Sequence, residues 1–137
     1  MINHSKESNV RKAKGEKLQK NIEAQLQSAF PQHANAIQSN KMSAHGEDIK
    51  ITSDEARKDI PYSIEAKYKQ KGLANVYAAY EQAERQLANI STALDVYAVA
   101  VVQQEGHDPL VVMNVEDWLT LTKQLSAKAA NQNGGPK

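Results

Sequence analysis

The sequence predicts an α/β fold, one mixed central β-sheet flanked by helices, and three observations carry that expectation. Three stretches repeat apolar residues at helical spacing. Short β-forming runs lie between them. Turn residues at Pro31, Gly46, Gly72 and Gly106-His107-Asp108-Pro109 separate these segments into the order helix, strand, strand, helix, strand, strand, helix. At 137 residues with 40% apolar content, the chain is long enough for one proper core and too short for two. We expect residues 1–8 to form a flexible basic arm, 9–125 a single domain and 126–137 a disordered tail.

Ser8 or Asn9 caps the first helix, which runs to about Phe30 with Leu18, Ile22, Leu26 and Phe30 on one stripe and Pro31 as its stop. Residues 32–46, rich in Asn, Gln, Ser and His, read as a loop of the length that often carries function. Asp48 to Ile51 alternates polar and apolar as a short strand, 52–61 is a charged connection with one helical turn, and Tyr62 to Tyr68 is the second strand. A second amphipathic helix follows from Leu73 to Leu87. The near-continuous apolar run Leu94 to Val102 predicts a strand covered on both faces. Leu110 to Met113 completes a hairpin with that run, and Asn114 caps a last helix bearing Val115, Trp118, Leu119 and Thr122 on one face. Tyr77, Tyr80 and Trp118 read as packing residues. From Ser126 onward little remains to bury.

Composition narrows the chemistry. With no cysteine there is no disulfide framework, no thiolate metal site and no thiol nucleophile, which fits a reducing, cytoplasmic setting. No apolar run approaches a membrane span and no secretory core is visible, so no membrane partner is expected. The net charge is only +1, yet basic residues gather in 1–20 (Lys6, Arg11, Lys12, Lys14, Lys17, Lys20) and in 57–71 (Arg57, Lys58, Lys67, Lys69, Lys71). Either run alone reads as a solvated surface. Together they allow a localised polyanion-binding face, in which Arg11, Lys12, Lys14, Lys69 and Lys71 suit salt-dependent phosphate contacts. His33, His45 and His107 share no spacing that would make a histidine metal site.

Alternation in a strand sends Glu65 and Lys67 to one side while Ile64, Ala66 and Tyr68 face the other, with Asp48 available from the neighbouring strand. Two carboxylates can hold a hard divalent cation, and a lysine beside them can orient or deprotonate a water and offset phosphate charge. Ten Glu and fourteen Lys in this chain make ~1 Glu-x-Lys expected by chance, and one is present, so the surroundings of the tripeptide must carry the argument.

Those surroundings resemble the PD-(D/E)xK nuclease superfamily, in particular small phage endonucleases and archaeal-type Holliday junction resolvases. The resemblance rests on Arg11-Lys12-Ala13-Lys14-Gly15-Glu16-Lys17-Leu18-Gln19 at a helix opening, Ser43-Ala44-His45-Gly46-Glu47-Asp48-Ile49 at a loop and strand, Arg57-Lys58, Pro61-Tyr62-Ser63-Ile64-Glu65-Ala66-Lys67, and Glu81-Gln82-Ala83-Glu84. It covers about residues 10–120. It implies a restriction-endonuclease-like core, Mg²⁺ or Mn²⁺ held by Asp48 and Glu65, Lys67 as the catalytic lysine, and Gln19 or Glu16 completing the site, with Gln19 favoured. A first-helix Glu of the resolvases is replaced here by Gln19, which brings no charge.

The function implied is a metal-dependent DNA endonuclease, structure-specific in the manner of a Holliday junction resolvase, acting in phage or prophage recombination or DNA processing as a homodimer in the host cell cytoplasm. Two alternatives stand beside it. One is a catalytically weak or inactive nuclease-fold protein that binds DNA or a phage protein, and the other is a single-site nuclease of restriction or packaging.

Overall fold

The computed structural model describes residues 4–41, 45–90 and 95–133. The chain is mixed α and β, and its contacts group it into two compact units, Met1–Gln70 with Leu121–Lys137, and Lys71–Thr120, where composition leads one to expect a single domain.

In the first unit, helix α1 (His4–Ala29) begins before the expected cap and buries Leu26, with Leu18 and Ile22 half-buried; Phe30, just past its end, is buried too. The Phe30 N–H still donates to Leu26 O at 2.9 Å. Pro31 then opens a 3₁₀ turn (Pro31–Ala36), a first position where the missing N–H costs nothing. The predicted loop 32–46 therefore contains regular structure. It also supplies strand β1 (Ile37–Ser39), which pairs antiparallel with β2 (Ile49–Ile51) in the register Ile37 to Ile51, Gln38 to Lys50 and Ser39 to Ile49. Ile37, Ile49 and Ile51 are buried and Gln38 and Lys50 exposed, as a one-sided ladder requires. Helix α2 (Asp54–Asp59) is the expected helical turn of the charged connection. The Ser53 hydroxyl accepts the Ala56 N–H at 3.1 Å, and acids in the first turn with bases in the last suit the helix dipole.

The expected strand Tyr62 to Tyr68 contributes only a bridge, Ile64 antiparallel to Ile49. Two causes are visible. Pro61 has no N–H to give to a ladder, and the Ala66 N–H donates to the Asp48 carboxylate instead of to a backbone carbonyl. The tail differs as well. Helix α4 (Val115–Asn133) runs well past Ser126, because Ala127, Lys128, Ala129 and Ala130 are good helix formers and no Gly or Pro intervenes before Gly134. In the first unit it is fastened by Ser126 Oγ donating to Asp59 Oδ1 (2.7 Å) and by a bond between the Tyr62 and Thr122 hydroxyls (3.1 Å).

The second unit holds helix α3 (Ala74–Gln86), a 3₁₀ turn (Leu87–Asn89), the hairpin of β3 (Ala100–Val102) and β4 (Leu110–Val112), and α4 as far as Thr120. The hairpin is antiparallel, with Ala100, Val101 and Val102 opposite Val112, Val111 and Leu110. Gly106 takes φ +81° in its connection, a left-handed conformation that suits glycine. Asn114 does cap α4, its Oδ1 accepting the Glu116 N–H at 2.8 Å. Leu94 lies outside the described residues; from 95 to 102 the run is covered on one face, with Ala98 and Ala100 buried while Val99 and Val101 are exposed. Tyr77 corrects another expectation. It is 62% exposed and is no packing residue, whereas Tyr80 is half-buried and its phenol is pushed up by burial, with Glu84 and Asp117 adding. Among the described residues, the predicted single mixed sheet is thus two antiparallel two-stranded ladders, one in each unit.

Candidate functional site

Asp48 is hydrogen-bonded to three separate segments of the first unit. Its N–H donates to Ile64 O (3.0 Å), and its carbonyl accepts the Asn40 N–H (2.8 Å) and Gln19 Nε2 (2.9 Å). Its Oδ2 accepts the Ala66 N–H (2.7 Å). One half-buried aspartate is so joined to α1, to the end of β1 and to the segment that carries Glu65 and Lys67. Because the donor to the carboxylate is Ala66, the charge lies beside the backbone between those two residues. Glu65 and Lys67 are both exposed.

Gln19 is buried, 4% exposed, and its amide nitrogen also donates to Asn40 O at 2.6 Å. Both of these bonds use the donor end of the amide, so Gln19 acts on the backbone of Asp48 and Asn40. A glutamate could not replace it without leaving two carbonyls facing a carboxylate. Glu16 is exposed; with Gln19, Lys20, Ser39 and Asn40 it lines a shallow hollow of about 160 Å³. One turn beyond Gln19, Glu23 Oε2 accepts the Ser39 N–H, and that bond holds its carboxyl below the usual carboxylate range despite partial desolvation.

Arg11, Lys12 and Lys14 are exposed on α1, and Lys69 is exposed beyond Lys67. Lys14 Nζ sits 5.7 Å from the centre of the Tyr68 ring, which brings the basic face of α1 to the end of the Glu65–Lys67 segment. Lys71, also exposed, is the first residue of the second unit. Arg57 does not belong to any basic face: its Nη2 donates to Glu47 Oε1 and its Nη1 to Tyr62 O, both at 2.7 Å. His45 is exposed, and its carbonyl accepts Asn40 Nδ2 at 3.1 Å. Ser43 and Ala44 lie outside the described residues.

Among the described residues, no three His, Cys, Asp or Glu side chains are grouped to hold a metal ion. Asp48 and Glu65 are carboxylates, the ligand type of which Mg²⁺ takes one or two while keeping several waters. No protein family, curated protein or solved structure matches this chain. No helix among the described residues is long and apolar enough to cross a membrane.

Three contributors escape a reading of the sequence. Asn40 donates Nδ2 to His45 O and to Glu47 O (3.2 Å) and accepts the Lys41 N–H, closing the loop that delivers Asp48. An Asn ahead of a glycine-bearing loop, here with Gly46 at φ +100°, was the available signal. The Arg57–Glu47 pair was hidden because arginine in a basic run reads as surface. Asp59 bridges Ser126 Oγ and His33 Nε2 (2.6 Å), and these two bonds, Ser126 first, hold its carboxyl below its ordinary value.

Proposed function

We propose that this chain is a metal-dependent DNA endonuclease of the PD-(D/E)xK type that hydrolyses phosphodiester bonds in branched or otherwise structured DNA, working as a homodimer. The observation that carries this reading is the bond from the Ala66 N–H to the Asp48 carboxylate. It sets the first acid against the backbone between Glu65 and Lys67, the three residue types that such hydrolysis needs. Asp48 and Glu65 would hold Mg²⁺ or Mn²⁺, which supplies an acidified water and neutralises phosphate charge. Lys67 Nζ orients the attacking water, and Gln19 keeps the Asp48 backbone in place. Arg11, Lys12, Lys14, Lys69 and Lys71 contact phosphates without reading sequence.

A second reading, a nuclease-like protein that binds DNA without cutting it, is favoured by the use of Gln19 as a donor to carbonyls and by the two-carboxylate donor set. Incubating the full chain with four-way junctions, duplex and single strands in Mg²⁺ or Mn²⁺ separates the two. The endonuclease reading expects metal-dependent cleavage that Asp48→Asn and Lys67→Ala each lower by at least two orders of magnitude. Binding without cleavage of any substrate supports the second reading, and cleavage unchanged in either variant overturns the site.

A further inference from the structure

Among the described phenylalanine and tyrosine rings of the first unit, Tyr68 is the one that is exposed, at 39%, whereas Phe30 is buried and Tyr62 half-buried. Lys14 Nζ lies 5.7 Å from its centre, and Lys67 and Lys69 flank it in the chain, both exposed. Arg11 is exposed one turn before Lys14 on α1. A ring with one lysine against it, two more beside it in the chain and part of its surface in solvent is not explained by core packing alone. It has the make-up of a single-strand platform, in which lysines follow the backbone and the ring takes a base face. Paired bases keep their faces inside the stack, so such a platform rewards only nucleotides that are already unpaired.

The geometry points to Tyr68 as a stacking site for an unpaired base of single-stranded DNA, with Lys14 beside the ring and Lys67 and Lys69 on the adjoining phosphates. This rests on the DNA-processing reading and narrows its substrate to DNA with an unpaired stretch next to the scissile segment. Ring and lysines divide the labour: Tyr68 discriminates single strand from duplex, while Lys14 strengthens both.

The test is fluorescence anisotropy of the full chain, in EDTA, with labelled oligothymidylate and a matched duplex. Tyr68→Ala is expected to weaken oligothymidylate binding by about 5- to 100-fold while changing duplex binding less than about two-fold, and Tyr68→Phe to bind as the native chain does. Lys14→Ala is expected to weaken both and to lower the salt slope by about one. Photocrosslinking of 5-iodouracil-substituted oligonucleotide to the unaltered chain should label Tyr68, a readout independent of how any variant folds. The inference is overturned if Tyr68→Ala binds the single strand normally, if it loses duplex equally, or if the crosslinks fall only elsewhere. A native chain that binds duplex but not single strand also overturns it and leaves the endonuclease reading standing; one that binds no DNA overturns both.

Discussion

The two units bury their large apolar side chains to different degrees. In the first, Leu26, Ile37, Ile49 and Ile60 have no exposed surface and Phe30 has 2%, whereas in the second Val101, Val111 and Leu110 are each about two-thirds exposed, at 68%, 67% and 65%. The difference also extends to polar groups. Asp48, Gln19, Asn40 and Arg57 are engaged with backbone carbonyls and N–H groups of the first unit, while the second unit's hairpin has a side-chain bond from Gln103 Nε2 to His107 O at its turn. A site that must hold two acids in register needs rigid supports, and only a closed core provides them.

The contrast should show most strongly in core truncations. Ile49→Ala, in the residue that pairs with both Ser39 and Ile64, is expected to lower unfolding free energy by about 2–5 kcal/mol in urea titrations, whereas Val101→Ala should stay within about 0.5 kcal/mol. Equal losses would mean the second unit's outer face is covered in solution. Next in size, Gln19→Ala strips a donor from the Asn40 and Asp48 carbonyls and should cost about 1–3 kcal/mol. Gln19→Glu should be no better, since a carboxylate offers these carbonyls no proton. A Gln19→Glu chain as stable as the native one would contradict the role given to the amide.

The smallest effect is set by acid. Asp59 has a folded value below its unfolded one, so its contribution is complete above the unfolded value, near pH 4, and is lost as pH falls through the lower, folded value. Melting temperatures followed below about pH 4 should therefore fall less steeply in Asp59→Asn than in the native chain. Glu23 acts in the same window through its bond to the Ser39 N–H, so the slope should shrink and not vanish.

Local periodicity carried much of the fold into the sequence. Leu26 and Phe30 announced a buried stripe, Asn114 announced a cap, and Ile49 and Ile51 announced the inward face of β2. What stayed hidden depends on distant partners. Ile37 and Ser39 form a strand because Ile51 and Ile49 lie opposite them, which a polar, histidine-bearing stretch does not advertise. The second strand shrank to Ile64 because a side chain, Asp48, took the hydrogen bond its backbone would have made. Glu65, Lys67 and Asp48 were legible as residue types in order; that Gln19 grips the Asp48 backbone with its donor end was not, since amide orientation follows from neighbours 21 and 29 residues away.

The claim on which the account turns is that Asp48 and Glu65 share one divalent cation. Titrating the full chain with Mn²⁺ and counting free ion by electron paramagnetic resonance tests it without DNA or turnover. One bound Mn²⁺ is expected, which Asp48→Asn and Glu65→Gln each weaken at least tenfold and Lys67→Ala leaves in place. Mn²⁺ affinity unchanged in both acid variants would contradict it.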